Sequence, residues 1–89
     1  MSYRFAFTQR ARRRLSKLPQ TVARSVADKV RWLAAHAEEV RHERMRGHEE
    51  YSLHMGQYRI LYTIDHGNRC IYIEDVGKHD EAYRHLRGL

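Results

Sequence analysis

The stretch Tyr51–Tyr83, YSLHMGQYRILYTIDHGNRCIYIEDVGKHDEAY, decides the fold. It holds three apolar-rich runs separated by short turn signals. Leu53 and Met55 lead into Gly56-Gln57, which has the make-up of a two-residue hairpin turn. Tyr58, Ile60, Tyr62 and Ile64 then alternate with Arg59, Leu61, Thr63 and Asp65. This period of two sets Arg59 on the face opposite the aromatic and isoleucine set. Asp65-His66-Gly67-Asn68 reads as a second turn, with Gly67 and Asn68 suited to positive φ. Cys70 to Val76 starts as a nearly continuous apolar run, the pattern of a central strand covered on both faces. The whole is a three-stranded meander whose strand ends carry basic or imidazole side chains: His54 before the first turn, Arg59 after it, and Lys78 with His79 where the chain leaves the sheet. Glu81 to Leu86 forms a short C-terminal helix or frays.

Upstream of the meander the chain reads as scaffold. Tyr3, Phe5 and Phe7 alternate with Arg4 and Ala6, a short strand with its aromatic face turned inward. Thr8 offers a capping oxygen to a helix starting at Gln9, in which Ala11, Leu15 and Leu18 share one face. Arg10, Arg12, Arg13, Arg14 and Lys17 make the remaining surface of that helix strongly basic. Pro19 ends it and suits the first turn of the next. Val22, Val26, Val30, Leu33 and Ala37 form the core stripe of that second helix, with Trp32 expected to close one edge of the core. Glu38 to Glu50 is a polar helix end and loop, with Gly47 in positive φ and Arg44 and Arg46 able to reach phosphates. The fold class is therefore α+β: one domain over residues 1–89, with an N-terminal strand and a two-helix antiparallel hairpin packed on a three- to four-stranded, mainly antiparallel sheet.

At 89 residues the chain supports one modest core, so any site lies on the surface of one layer. Seventeen Lys and Arg against 11 Asp and Glu give a net charge of +6 and a pI near 9.9. Polyanions, nucleic acid foremost and an acidic protein second, are the favoured partners. The one cysteine, Cys70, excludes an internal disulfide and sits in an apolar run as a small hydrophobe. That suits a reducing cytoplasm. No apolar run has the length of a signal peptide or a membrane span. Seven histidines raise the question of zinc, but no C-x-x-C is present, His79 and His85 are six apart, and Cys70 has no partner at ligand spacing. Neither a metal nor another cofactor is expected.

The order β, helix, helix, β, β, β resembles the RelE/ParE superfamily of toxins. The likeness spans nearly the whole chain. It is carried by Phe7-Thr8, Leu18-Pro19, Gly56-Gln57-Tyr58-Arg59-Ile60-Leu61-Tyr62, and Val76-Gly77-Lys78-His79 with Tyr83. The resemblance implies a toxin of a type II toxin–antitoxin pair, a ribosome-dependent endoribonuclease that cuts mRNA without a metal, inhibits translation, and is neutralised by a small cognate antitoxin. The family often has R-x-R where this chain has Ser52-Leu53-His54, and Arg where this chain has His79. Histidines thus replace part of the usual cationic site.

Such cleavage needs the 2′-hydroxyl deprotonated, the charge on phosphorus stabilised and the departing 5′-oxygen protonated. Arg59, always charged and able to make two parallel hydrogen bonds, suits the second task. His79 suits proton transfer, with His54 as counterpart. Lys78, Arg44 and Arg46 are candidate phosphate ligands, and Tyr83 a base-stacking or proton-orienting group. His36, His42, His48 and His66 read as solvated positions. A gyrase-inhibiting ParE-like toxin, and an inactive homologue acting only as a binding partner, are the competing functions.

Overall fold

The computed structural model describes residues 2–44 and 46–78. The elements in chain order are β1 (Arg4–Phe7), α1 (Gln9–Ser16), α2 (Gln20–Ala35), β2 (Glu43–Arg44), β3 (Tyr51–Met55), β4 (Tyr58–Asp65) and β5 (Cys70–Lys78). They form one five-stranded sheet in the order β1-β5-β4-β3-β2. His79, Tyr83 and the expected helix at Glu81–Leu86 lie outside the described residues.

The hairpin forms where the sequence puts it. Met55 pairs with Tyr58 across Gly56-Gln57, and Gly56 takes φ 59°, a value that costs glycine nothing for want of a Cβ. The second turn differs from expectation. Its positive φ falls on Arg69, at 51°, rather than on Gly67 or Asn68. The Asn68 amide nitrogens, side chain and backbone, donate to the Asp65 carboxylate and hold that carboxyl below its usual range. With Asp65 ordering the turn this way, the left-handed step is displaced to the residue just before β5.

Two strands extend the meander. β1 pairs parallel to β5, from Arg4↔Cys70 to Phe7↔Ile73, and β2 adds two residues antiparallel to β3. The sheet therefore has one strand more than expected. The register of β4 on β5 steps at Glu74: Leu61 pairs with Asp75, and Tyr62 with Ile73. This bulge moves the inward-facing set on β5 from Ile71 and Ile73 to Val76. Ile60, Tyr62, Ile71, Ile73 and Val76 thus line one face and pack against Val26, Val30, Leu33 and Ala34 of α2. Ala37 is buried with them although it lies past the helix end.

Thr8 caps α1 as expected, its Oγ1 accepting from the Ala11 amide at 3.1 Å. Pro19 precedes α2 at the cap position, with its carbonyl accepting from the Ala23 amide. The two helices are joined by residues 17–19 alone and share one core, Ala11 of α1 with Val26 and Val30 of α2, as the expected hairpin requires. The contacts of α1 fall mainly on β5, along the part of that strand beyond the end of β1. There the Thr8 amide and Oγ1 donate to the carbonyls of Ile73 and Glu74, and Arg14 Nε donates to that of Val76. An edge that would otherwise invite another strand is closed by side chains. Trp32 is a further departure. It is 41% exposed, stacked on His36 with Lys29 Nζ 4.5 Å from its ring centre, on the solvent side of α2. No described helix is long and apolar enough to cross a membrane.

Candidate active site

Pairing places the candidate residues. His54 on β3 is directly opposite Arg59 on β4, and Arg59 is directly opposite Gly77 on β5. Residues directly opposite share a face and lie about 4.5–5.5 Å apart at Cα. The row His54–Arg59–Gly77 therefore crosses three strands on the face turned away from α2. His54 is exposed and Arg59 half-buried. The third place is taken by Gly77, which is buried and adds no side chain to the row.

The same rule separates the other candidates. Lys78 pairs with Tyr58, one residue along from Gly77, and a one-residue step reverses the face. Lys78 thus lies on the α2 side, whereas the sequence reading grouped it with Arg59. Arg44 pairs with Tyr51, with its guanidinium 4.9 Å from the centre of that ring and donating to its hydroxyl at 2.9 Å. It too is on the α2 side. Arg46 is exposed in the turn before Gly47, which has φ 79°. His79 and Tyr83 follow β5 outside the described residues.

One residue that sequence reasoning passed over joins the row's face. Glu43 pairs with Ser52, and Ser52 lies two residues from His54 on β3, so Glu43 and His54 are diagonal neighbours about 7–8 Å apart. A carboxylate and an imidazole at that spacing can flank one phosphate. No sequence period could have shown this, because β2 is only two polar residues long. Among the described residues no group of three or more His, Cys, Asp or Glu side chains is placed to hold a metal ion.

The model of the ParE toxin of type II toxin–antitoxin systems, parDE, matches residues 5–83. The chain belongs to this toxin family. Among solved structures it is similar to a chain of the Mycobacterium tuberculosis RelBE2 toxin–antitoxin complex, at 30% identity over 89% of this chain and 93% of that one, with a TM-score of 0.79. It shares its fold with a mutant of the E. coli toxin RelE in the free state, at 24% identity, complete coverage of both chains and a TM-score of 0.79. The toxin of the RelE–RelB complex from Pyrococcus horikoshii OT3 has the same fold at 19% identity, with 92% of this chain and all of that one covered and a TM-score of 0.71. A comparison with curated proteins found no match. The chain is thus a toxin of the RelBE/ParDE type, on the fold the sequence implied.

Within this toxin, His42 is not the solvated position expected. Its Nδ1 lies 2.6 Å from the Tyr62 hydroxyl and its Nε2 2.8 Å from the Ala37 carbonyl. Tyr62 is buried, and burial first, then the neighbouring Tyr51 and Glu43, pushes its hydroxyl pKa well up. The phenol therefore keeps its proton and donates it to Nδ1, so the proton on His42 is on Nε2, donated to Ala37. The network pins the segment between α2 and β2, and hence Glu43, to the core. His42→Ala leaves both groups without partners and is expected to cost about 1–3 kcal/mol, read as a lower urea midpoint at unchanged m. His36 and His66 are also bonded, to the Trp32 carbonyl and the Tyr3 hydroxyl.

Proposed function

We propose that this toxin is a ribosome-dependent, metal-independent endoribonuclease of the cytoplasm that cleaves mRNA by 2′-hydroxyl attack and so inhibits translation. A small cognate antitoxin, of the kind found in the RelBE complexes it resembles, holds it in check. The observation that carries this reading is the pairing of His54 with Arg59 beside a glycine. It sets a phosphate-gripping guanidinium beside a proton-transferring imidazole on the face turned away from α2. Arg59 stabilises the charge that grows on the phosphorus oxygens. His54 protonates the leaving 5′-oxygen, and Glu43 takes the 2′-hydroxyl proton. His79, the next residue after β5, is the second candidate for either proton transfer, and Tyr83 for stacking on the base. Lys78, Arg44 and Arg46 then hold phosphates further along the RNA rather than the scissile one.

Glu43→Gln preserves shape and removes the base. It is expected to lower single-turnover cleavage by about 10²-fold, the scale of general base catalysis. An unchanged rate assigns the base elsewhere.

The family model is that of ParE, and this favours a second reading, inhibition of DNA gyrase. Induction without antitoxin, with RNA ends mapped and gyrase supercoiling assayed in parallel, separates the two. Breaks within translated codons support the nuclease. Intact RNA with inhibited gyrase supports the ParE-like toxin.

A further inference from the structure

Five cations and no acid fall between Gln9 and Lys17, and α1 has no acidic residue in its first turn. Arg10, Arg13 and Arg14 stand at i, i+3 and i+4, where like charges destabilise a helix. Arg10 also lies in the first turn, where the helix dipole disfavours a cation. Folding alone gives no reason for this arrangement. Three arginines are matched with carboxylates: Arg14 with Asp75, Arg31 with Asp28 and Arg69 with Glu38. Among the described residues Arg10 and Arg13 have no such carboxylate, and with Gln9 and Arg14 they line a depression on the molecule's surface.

The position of this depression is set by β5. Thr8 and Arg14 fix α1 beside the carbonyls of residues 73 to 76. The strand then reaches Gly77, the partner of Arg59. Across the molecule the order is α1, β5, β4, β3, with strands about 5 Å apart. Gly77 is itself buried, so the basic helix and the row of Arg59 and His54 are neighbours in position across β5. An extended RNA strand spans this distance in a few nucleotides.

We propose that the Arg10–Arg13 side of α1 is a second phosphate-binding subsite, which holds the sugar-phosphate backbone of single-stranded RNA a few nucleotides from the bond seated at Arg59. The proposal rests on the nuclease reading for the identity of the bond, while the subsite itself is a binding claim. Arg14 is anchored to Asp75 and frames the depression. Arg10 and Arg13 contact the phosphates as charges and as planar donors.

The test uses the full-length toxin carrying Arg59→Ala, so that binding is read without cleavage, and a short labelled single-stranded RNA of mixed sequence. Adding Arg10→Ala with Arg13→Ala is expected to raise the Kd about ten-fold and to reduce the slope of log Kd against log salt by about 1.4, two phosphates at ~0.7 each. Tm is expected to be unchanged or higher, since the lost charges repelled one another. A control pair, Arg24→Ala with Lys29→Ala, removes the same charge from α2 and is expected to change the slope less. Equal effects from the two pairs, or no effect from the α1 pair, would overturn the subsite. Loss of antitoxin binding by the α1 pair would also overturn it, by making this face a protein interface. RNA cleavage by the toxin with Arg59 intact, scored separately, decides the nuclease reading.

Discussion

Arg59→Ala is expected to lower cleavage of ribosome-bound mRNA by about 10²–10³-fold, the loss that follows removal of one positioned donor to a developing negative charge. The residue stands mid-row between His54 and Gly77, half-buried, so part of its charge works in a medium that screens it less than water does. The buried residues of β4 are its neighbours Ile60, Leu61 and Tyr62, and Arg59 itself is not among the core side chains. Tm and the circular dichroism spectrum should therefore stay close to those of the parent. Arg59→Lys keeps the charge but not the planar fork and is expected to fall between the two. The measurement is a single-turnover rate on programmed ribosomes. A rate within a few-fold of the parent would remove Arg59 from the chemistry.

The largest effect on stability is expected at Arg14. Its Nε lies 3.1 Å from Asp75 Oδ1, and the Asp75 side chain is 2% exposed against 29% for Arg14. The same Nε reaches the Val76 carbonyl, and Asp75 Oδ1 also accepts from the Val76 amide. Arg14→Ala removes the guanidinium from a buried carboxylate and from the Val76 carbonyl at once. Loss of one partner of a buried pair costs about 3–5 kcal/mol, and the partial exposure of Arg14 brings the expectation to about 2–4 kcal/mol. Urea unfolding should show a lower midpoint at unchanged m. In a double-mutant cycle, Asp75→Ala added to Arg14→Ala should cost little more than Arg14→Ala alone. Additive costs would show that the two side chains do not act as a pair.

Features written in local pattern were legible in the sequence. The Thr8 cap, the valine stripe of α2, the Gly56-Gln57 turn and the alternation along β4 each follow from a few neighbouring residues, and each stands in the structure. What escaped depends on pairing between distant segments. β1 shows in the alternation of Tyr3, Phe5 and Phe7, but its parallel pairing to a partner more than sixty positions away leaves no local mark. The bulge at Glu74 is visible only as a break in register, held by Thr63 donating to the Glu74 carboxylate and Thr8 to its carbonyl.

The site divides in the same way. Alternation alone showed that Arg59 faces away from the isoleucines, but only the register shows that His54 shares its row and that Lys78 does not. Glu43 was hidden in a loop rich in compensating charges. His42 looked like one more surface histidine because its partners, Tyr62 and the Ala37 carbonyl, belong to other parts of the fold. Trp32 erred in the other direction. It sits beside the core stripe in sequence, yet its large ring is covered from outside by Lys29 and His36 rather than by the sheet.

The central claim is that the row of His54 and Arg59, with Glu43 beside it, cleaves RNA by attack of the neighbouring 2′-hydroxyl. Purified toxin incubated with ribosomes carrying a defined mRNA in the A site, followed by end-group analysis of the fragments, tests it most directly. The account predicts 5′-hydroxyl ends matched by 2′,3′-cyclic phosphate or 3′-phosphate ends, formed in the presence of chelator and lost with Arg59→Ala. Fragments ending in 5′-phosphate and 3′-hydroxyl, or mRNA left intact by a toxin that still arrests growth, would contradict it.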